Sequence, residues 1–82
     1  MLEAKVYVTL KKTVADPQGL TIKHALESSG FGGLVDVRIG KLILIKLNSQ
    51  SKKSAEAEIN QMCKKLLANP IIEDYRFQIQ KA

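Results

Sequence analysis

The sequence predicts an α+β domain with the element order β-α-β-β-α-β, on the strength of three observations. Residues 3–11, 34–39 and 71–79 alternate apolar and polar side chains with the period of two that a half-buried strand requires. Two other stretches, between Asp16 and Gly30 and between Ser51 and Asn69, carry apolar residues at helical spacing. Gly40-Lys41 interrupts the long extended stretch 34–47, which therefore reads as two strands of a hairpin. The expected architecture is ferredoxin-like: a four-stranded antiparallel sheet with both helices on one face, free to dimerise through its open face or through the central hairpin.

The first strand, EAKVYVTLK, puts Val6, Val8 and Leu10 on one side and Lys5, Tyr7 and Thr9 on the other. Asp16-Pro17-Gln18-Gly19 follows, read either as an N-cap with proline at the first helical position or as a type I turn before the helix. Ile22, Ala25, Leu26 and Ser29 keep helical spacing, and Gly30 is placed to end the helix in a left-handed conformation, with Phe31 packing back on the last turn. Gly32 and Gly33 lead into the hairpin.

Two registers are open for that hairpin. A two-residue loop sets Ile39 opposite Leu42 and mixes Asp36 and Arg38 with Ile43, Ile45 and Leu47. A loop one residue longer puts Val35, Val37 and Ile39 on the face of those three apolar residues, and is preferred because it gives one continuous buried face. Leu42 and Leu44 then lie on the opposite face and call for a second cover. Ser51 and Ser54 are the leading N-caps of the second helix, whose stripe is Ala55, Ile59, Met62, Cys63, Leu66 and Leu67. Asn69-Pro70 ends it, and the last strand turns Tyr75, Phe77 and Ile79 inward and Asp74, Arg76 and Gln78 outward.

Eighty-two residues make one domain, at a size where association with a partner helps stability. The 45% apolar content argues against disorder. A single cysteine, Cys63, excludes an intrachain disulfide and a multi-cysteine metal site, and fits a reducing compartment. No stretch approaches the ~18 apolar residues of a membrane span. The net charge of +5 permits acidic partners, but the lysine pairs at 11/12, 52/53 and 64/65 fall at element ends and on solvated helix faces.

Candidate chemistry is sparse. His24 is the only histidine and has no sequence-evident nucleophile beside it. Glu73 and Asp74 are adjacent on a strand and face opposite ways, which rules them out as an acid–base pair acting at one point. Gly30-Phe31-Gly32-Gly33 precedes a strand and lacks the Lys-Ser/Thr of a P-loop. The RNA-binding use of this fold needs stacked aromatics in the central strands, and the open face offers only Tyr7. Neither nucleic acid nor membrane is an expected partner.

Three segments resemble one family. DPQG at Asp16–Gly19, VDVRIGK at Val35–Lys41 and MCKKLLANPIIEDYRF at Met62–Phe77 together are similar to PurS, the small subunit of phosphoribosylformylglycinamidine synthase. The likeness runs from about Lys5 to Phe77 and identifies residues 1–82 as a single PurS-like domain. It implies a cytoplasmic, dimeric adaptor without catalytic residues of its own, joining a glutaminase subunit (PurQ) to a synthetase subunit (PurL) in purine biosynthesis. The complex makes formylglycinamidine ribonucleotide from formylglycinamide ribonucleotide, glutamine and ATP, passes ammonia between two sites, and uses ATP and Mg; no cofactor is expected on this chain.

The residues carried over by motif are Asp16, Pro17, Gln18 and Gly19, then Arg38, Gly40 and Lys41, then Asn69, Pro70, Glu73, Asp74 and Tyr75. Asp16, Gly40 and Asn69-Pro70 also have plain structural readings as cap, turn and stop. Arg38 and Lys41 are expected at a turn tip, where a cation has no local task and points to a partner. Tyr7, Leu42 and Leu44 are the candidates for self-association. A second hypothesis, a regulatory module binding an amino acid or nucleotide in a dimer crevice, predicts thermal stabilisation by a metabolite alone.

Overall fold

Strand β1 (Leu2–Leu10) is the axis of the computed structural model, which describes residues 1–82. It pairs antiparallel on one side with β2 (Gly40–Leu47) and on the other with β3 (Glu73–Lys81), giving the order β2-β1-β3. Val6 lies opposite Ile43 in one ladder and opposite Phe77 in the other. Because side chains alternate, this register gathers Ala4, Val6 and Val8 with Ile43, Ile45, Phe77 and Ile79 on one face.

Helix α2 (Lys52–Met62) covers that face. Ser51 starts it by accepting a hydrogen bond from the Ser54 N–H at 3.2 Å, and Ala55 and Ile59 point into the sheet. Ile59, Val6, Val8 and Cys63 are the largest fully buried side chains. Burial of an isoleucine such as Ile59 contributes about 1.5–3 kcal/mol. The helix then widens into a π-helical turn, Cys63–Leu67, closed by a hydrogen bond of 3.1 Å from the Ala68 N–H to the Cys63 carbonyl. The wider turn brings Cys63 and Ala68 inward and leaves Leu66 84% exposed, although an unbroken α-helical stripe would bury it.

Helix α1 (Pro17–Ser28) forms where the cap and proline place it. At its far end Phe31 N–H donates to the Leu26 carbonyl and Gly30 N–H to that of Glu27, with Gly30 at φ +99°, a Schellman ending. Yet α1 adds nothing to the core cluster, and Gly19 is its only buried residue. Leu20, Ile22 and Phe31 stay open to solvent.

Three expectations are corrected here. The sheet has three strands, and the hairpin at Gly40 does not form. Gly40 is the first residue of β2, opposite Thr9, its φ is not positive, and residues 31–39 before it belong to no strand or helix. It is glycine for another reason: a Cβ there would lie 2.8 Å from the Val8 carbonyl oxygen. Nor do both helices cover the sheet; α1 packs beside segment 34–39, beyond the end of β1. The result is an elongated chain, 49 × 27 × 15 Å, with a radius of gyration of 16.2 Å. A compact chain of this length would have about 12 Å.

Candidate functional site

Asp16 holds the projecting arm to the sheet. As N-cap of α1, its Oδ1 accepts the Gly19 N–H at 2.9 Å, and its Oδ2 reaches across to accept the Ile39 N–H at 2.7 Å. One carboxylate therefore joins the helix start to the extended chain just before β2. The Ile39 and Gly19 N–H groups hold its pKa below the ordinary carboxylate value; burial opposes them without prevailing, and the Arg38 charge adds to the lowering.

Gly19 completes the contact. A Cβ on it would stand 2.1 Å from the Val37 carbonyl oxygen, so only glycine lets α1 come this close to the extended segment. Arg38 then grips the β1–α1 loop from the other side: its guanidinium donates to the carbonyls of Lys11 at 2.9 Å and Val14 at 2.7 Å. Arg38 thus has a local task, contrary to the turn-tip expectation, because no hairpin forms at Gly40 and its guanidinium reaches that loop.

The last motif arrives at the same end of the sheet. Asn69 Oδ1 accepts from the Ile71 N–H, and the Asn69 N–H donates to Glu73 Oε1 at 2.7 Å, which fixes the turn leading into β3. Asp74 pairs with Lys11 at 2.6 Å, and Lys41 lies 3.8 Å from Glu73. The Lys11–Asp74 pair is solvent-facing and contributes little to stability, whereas Glu73 is largely covered, with 14% of its side chain exposed. Tyr75 points the other way, into the core side, and donates its hydroxyl hydrogen to Asn60 of α2.

A groove of about 230 Å³ marks the convergence: Asp16 and Gln18 from the first motif, Ile39, Gly40 and Lys41 from the second and Glu73 from the third line it over Val8 and Leu10. Gln18 and Ile39 also line a shallower groove beside Thr21 and Ile22. Sequence reasoning named most of these residues and missed two. Lys11 takes part through its carbonyl, through its ammonium and through an N–H that donates to Ile72, and Asn60 anchors Tyr75. Nothing in the local spacing marks either one.

The uncovered sheet face is separate. Tyr7, Leu42 and Leu44 lie on it as expected, Leu42 opposite Tyr7 and Leu44 opposite Lys5, with the two leucines 56% and 58% exposed. Arg76 stacks over the Tyr7 ring at 4.1 Å. Arg38 is engaged with the Lys11 and Val14 carbonyls instead. No cluster of three or more His, Cys, Asp or Glu side chains is placed to hold a metal ion, and no helix is long and apolar enough to cross a membrane.

Comparison with known proteins fits this arrangement. The PurS family profile, described as phosphoribosylformylglycinamidine (FGAM) synthase, matches residues 3–81. The Bacillus subtilis subunit PurS of phosphoribosylformylglycinamidine synthase is 43% identical over 99% of this chain and 95% of its own length. The crystal structure of Methanocaldococcus jannaschii PurS, one of the subunits of formylglycinamide ribonucleotide amidotransferase in the purine biosynthetic pathway, superposes with a TM-score of 0.90 at 40% identity, covering 100% of this chain and 99% of that one. A chain in the structure of PurLQS from Thermotoga maritima gives 0.85 at 29% identity, over 98% of this chain and 99% of that one. With a matching profile over almost its whole length and relatives above 40% identity, the chain belongs to the PurS family of phosphoribosylformylglycinamidine synthase subunits.

Proposed function

We propose that this chain is a non-catalytic adaptor in a glutamine-dependent, ATP-consuming ligase of purine biosynthesis, acting in the cytoplasm as a dimer that joins a glutaminase subunit (PurQ) to a synthetase subunit (PurL). ATP and Mg serve the synthetase in this reading. The chain contributes alignment, because ammonia released to water is protonated and is then no nucleophile. The observation that carries the proposal is the end-to-end likeness to a chain of the T. maritima PurLQS structure.

The geometry supports a division of labour among the motif residues. Asp16, Gly19, Arg38, Gly40 and Asn69 hold the arm and the turn together from within. Gln18 and Lys41 on the groove are left to meet a partner, as are Tyr7, Leu42 and Leu44 on the open face, where Asp74 also lies, paired with Lys11.

Reconstitution tests this directly. Glutaminase and synthetase subunits from the same source are assayed with glutamine as nitrogen donor, with and without the chain, and with ammonium as a control. Glutamine-dependent synthesis should require the chain, whereas ammonium-dependent synthesis should need it far less. Equal glutamine-dependent rates with and without it would remove the adaptor role.

A further inference from the structure

The uncovered sheet face carries an arginine whose charge nothing in the chain answers. Alternation puts Lys5, Tyr7 and Thr9 of β1 on that face, and the two ladders set Leu42 and Leu44 beside them on one side and Arg76 and Gln78 on the other. The Arg76 guanidinium stacks on the Tyr7 ring at 4.1 Å, yet it makes neither a hydrogen bond nor an ion pair within the chain. Stacking holds the guanidinium by its flat side. Its N–H edge, the part that grips a carboxylate with two parallel hydrogen bonds, stays free.

The acidic groups of the face are already answered. Asp74 pairs with Lys11 at 2.6 Å, and Glu3 lies opposite Lys46 in the β1–β2 ladder. Lys5 and Arg76 are left over, diagonal neighbours across the β1–β3 ladder because Lys5 lies opposite Gln78. Next to the guanidinium opens a small hollow of about 110 Å³, lined by Tyr7, Thr9, Asp74, Tyr75 and Arg76, in which the Asp74 charge is held by Lys11. Leu42 and Leu44, both more than half exposed, flank Tyr7 on its other side. A tyrosine and an arginine beside open leucines, with free charge of one sign, make the composition of a contact centre and not of a solvated face.

We propose that this face docks on an acidic protein surface within the ligase complex, with Arg76 as its anchor: the guanidinium edge holds a partner carboxylate, Lys5 adds a second cation, and Leu42 and Leu44 meet apolar side chains around that carboxylate. The proposal rests on the adaptor reading above and specifies one of its contacts. A second copy of the chain is a poor occupant, since two such faces together bring two unpaired cations from each copy into one interface. Single-stranded nucleic acid is a poor one too, because Tyr7 is the one aromatic ring of the face and Arg76 covers it.

The test titrates the chain into the reconstituted synthetase and glutaminase subunits and reads the concentration that half-saturates glutamine-dependent synthesis. Arg76→Glu should raise that concentration roughly tenfold or more, while light scattering and the urea midpoint match those of the unaltered chain. Arg76→Lys, which keeps the charge but neither the planar fork nor the stack, should lie between the two. Lys53→Glu makes the same change of charge on the exposed start of α2, on the other side of the sheet, and should stay within about twofold. A shift no larger for Arg76→Glu than for Lys53→Glu would overturn the anchor and leave the adaptor role standing. Loss of self-association with Arg76→Glu would make the face a joint between copies and overturn the proposal as well. Failure of the unaltered chain to support glutamine-dependent synthesis would remove the adaptor reading and this contact with it. Independently, a carbodiimide, which condenses an amine with a carboxylate in direct contact, should join Lys5 to an aspartate or glutamate of another subunit in the assembled complex, as located by mass spectrometry. Lys5 joined only to carboxylates of this chain would overturn the acidic docking surface.

Discussion

The two ends of this chain are held by different physics. Around β1, burial does the work: Val6, Val8, Ile59 and Cys63 are sealed between sheet and α2, and no specific polar contact is needed to keep them there. Around α1, burial is nearly absent, with Leu20 and Val35 open to solvent, and position is kept by the two oxygens of Asp16, the guanidinium of Arg38 and the bare Cα of Gly19. A region held by burial resists change until it unfolds as a whole. A region held by a few directional contacts keeps its shape while leaving its apolar surface for something else to cover, and that suits a subunit whose task is to join others.

The comparison is broken most severely by a cavity in the packed region. Ile59→Ala should cost about 2–5 kcal/mol, because the side chain is fully buried between α2 and the sheet and the surroundings cannot collapse freely. Urea unfolding checks it, with Leu20→Ala as the matching change on the arm, expected to stay within about 0.5 kcal/mol. Equal losses would mean that the arm is packed as tightly as the core.

A smaller and more local effect is expected at Asp16. A carboxylate offers an acceptor to each of Gly19 and Ile39; the amide of Asp16→Asn has one acceptor oxygen and turns a donor toward one of those N–H groups. The α1 and Ile39 amides should exchange with deuterium roughly tenfold faster, while β1 amides change little. The pH dependence has a definite sign. Since the folded-state pKa is depressed, the contribution of Asp16 is complete above the ordinary value of 3.8 and is lost only as pH falls through the lower folded value. The Gly19 and Ile39 amide resonances should therefore titrate with a midpoint below 3.8. A midpoint at or above it would contradict the two-handed contact.

The same division explains what could be read from the sequence. Elements built on burial were legible: β1, α2 and β3 fall where alternation and helical spacing put them, and Ser51, Asp16 and Gly30 cap as their chemistry suggests. Gly40 was not, because glycine is compatible with both a turn and a close backbone approach, and only the nearby Val8 carbonyl decides between them. Alternation in Val35–Ile39 predicts a strand with one apolar side, but this segment pairs with no strand of the sheet and is left without the cover that the pattern implies. The three motifs could be recognised separately, whereas their meeting in one groove depends on Gly40 lying in β2 rather than in a turn, which the pattern did not reveal. Arg38 looked like a free cation for the same reason.

The smallest expected effect tests the least legible feature. A periodicity of 3.6 places Leu66 on the buried stripe with Ile59 and Cys63, and on that basis Leu66→Gln would cost several kcal/mol, as a buried amide without partners does. The π-helical turn changes the sum: the hydrogen bond from Ala68 to Cys63 takes in one more residue than an α-turn, Ala68 occupies the inward position, and Leu66 is carried round to solvent. Leu66→Gln should then shift stability by less than about 0.5 kcal/mol in urea unfolding. A leucine so exposed at the end of α2, close in sequence to the exposed Ile71, also has no folding reason to be apolar. If the substitution leaves stability unchanged but weakens assembly in the reconstitution, the π-helical turn is what presents an apolar contact; a large loss of stability would instead restore the regular helix that the sequence pattern implies.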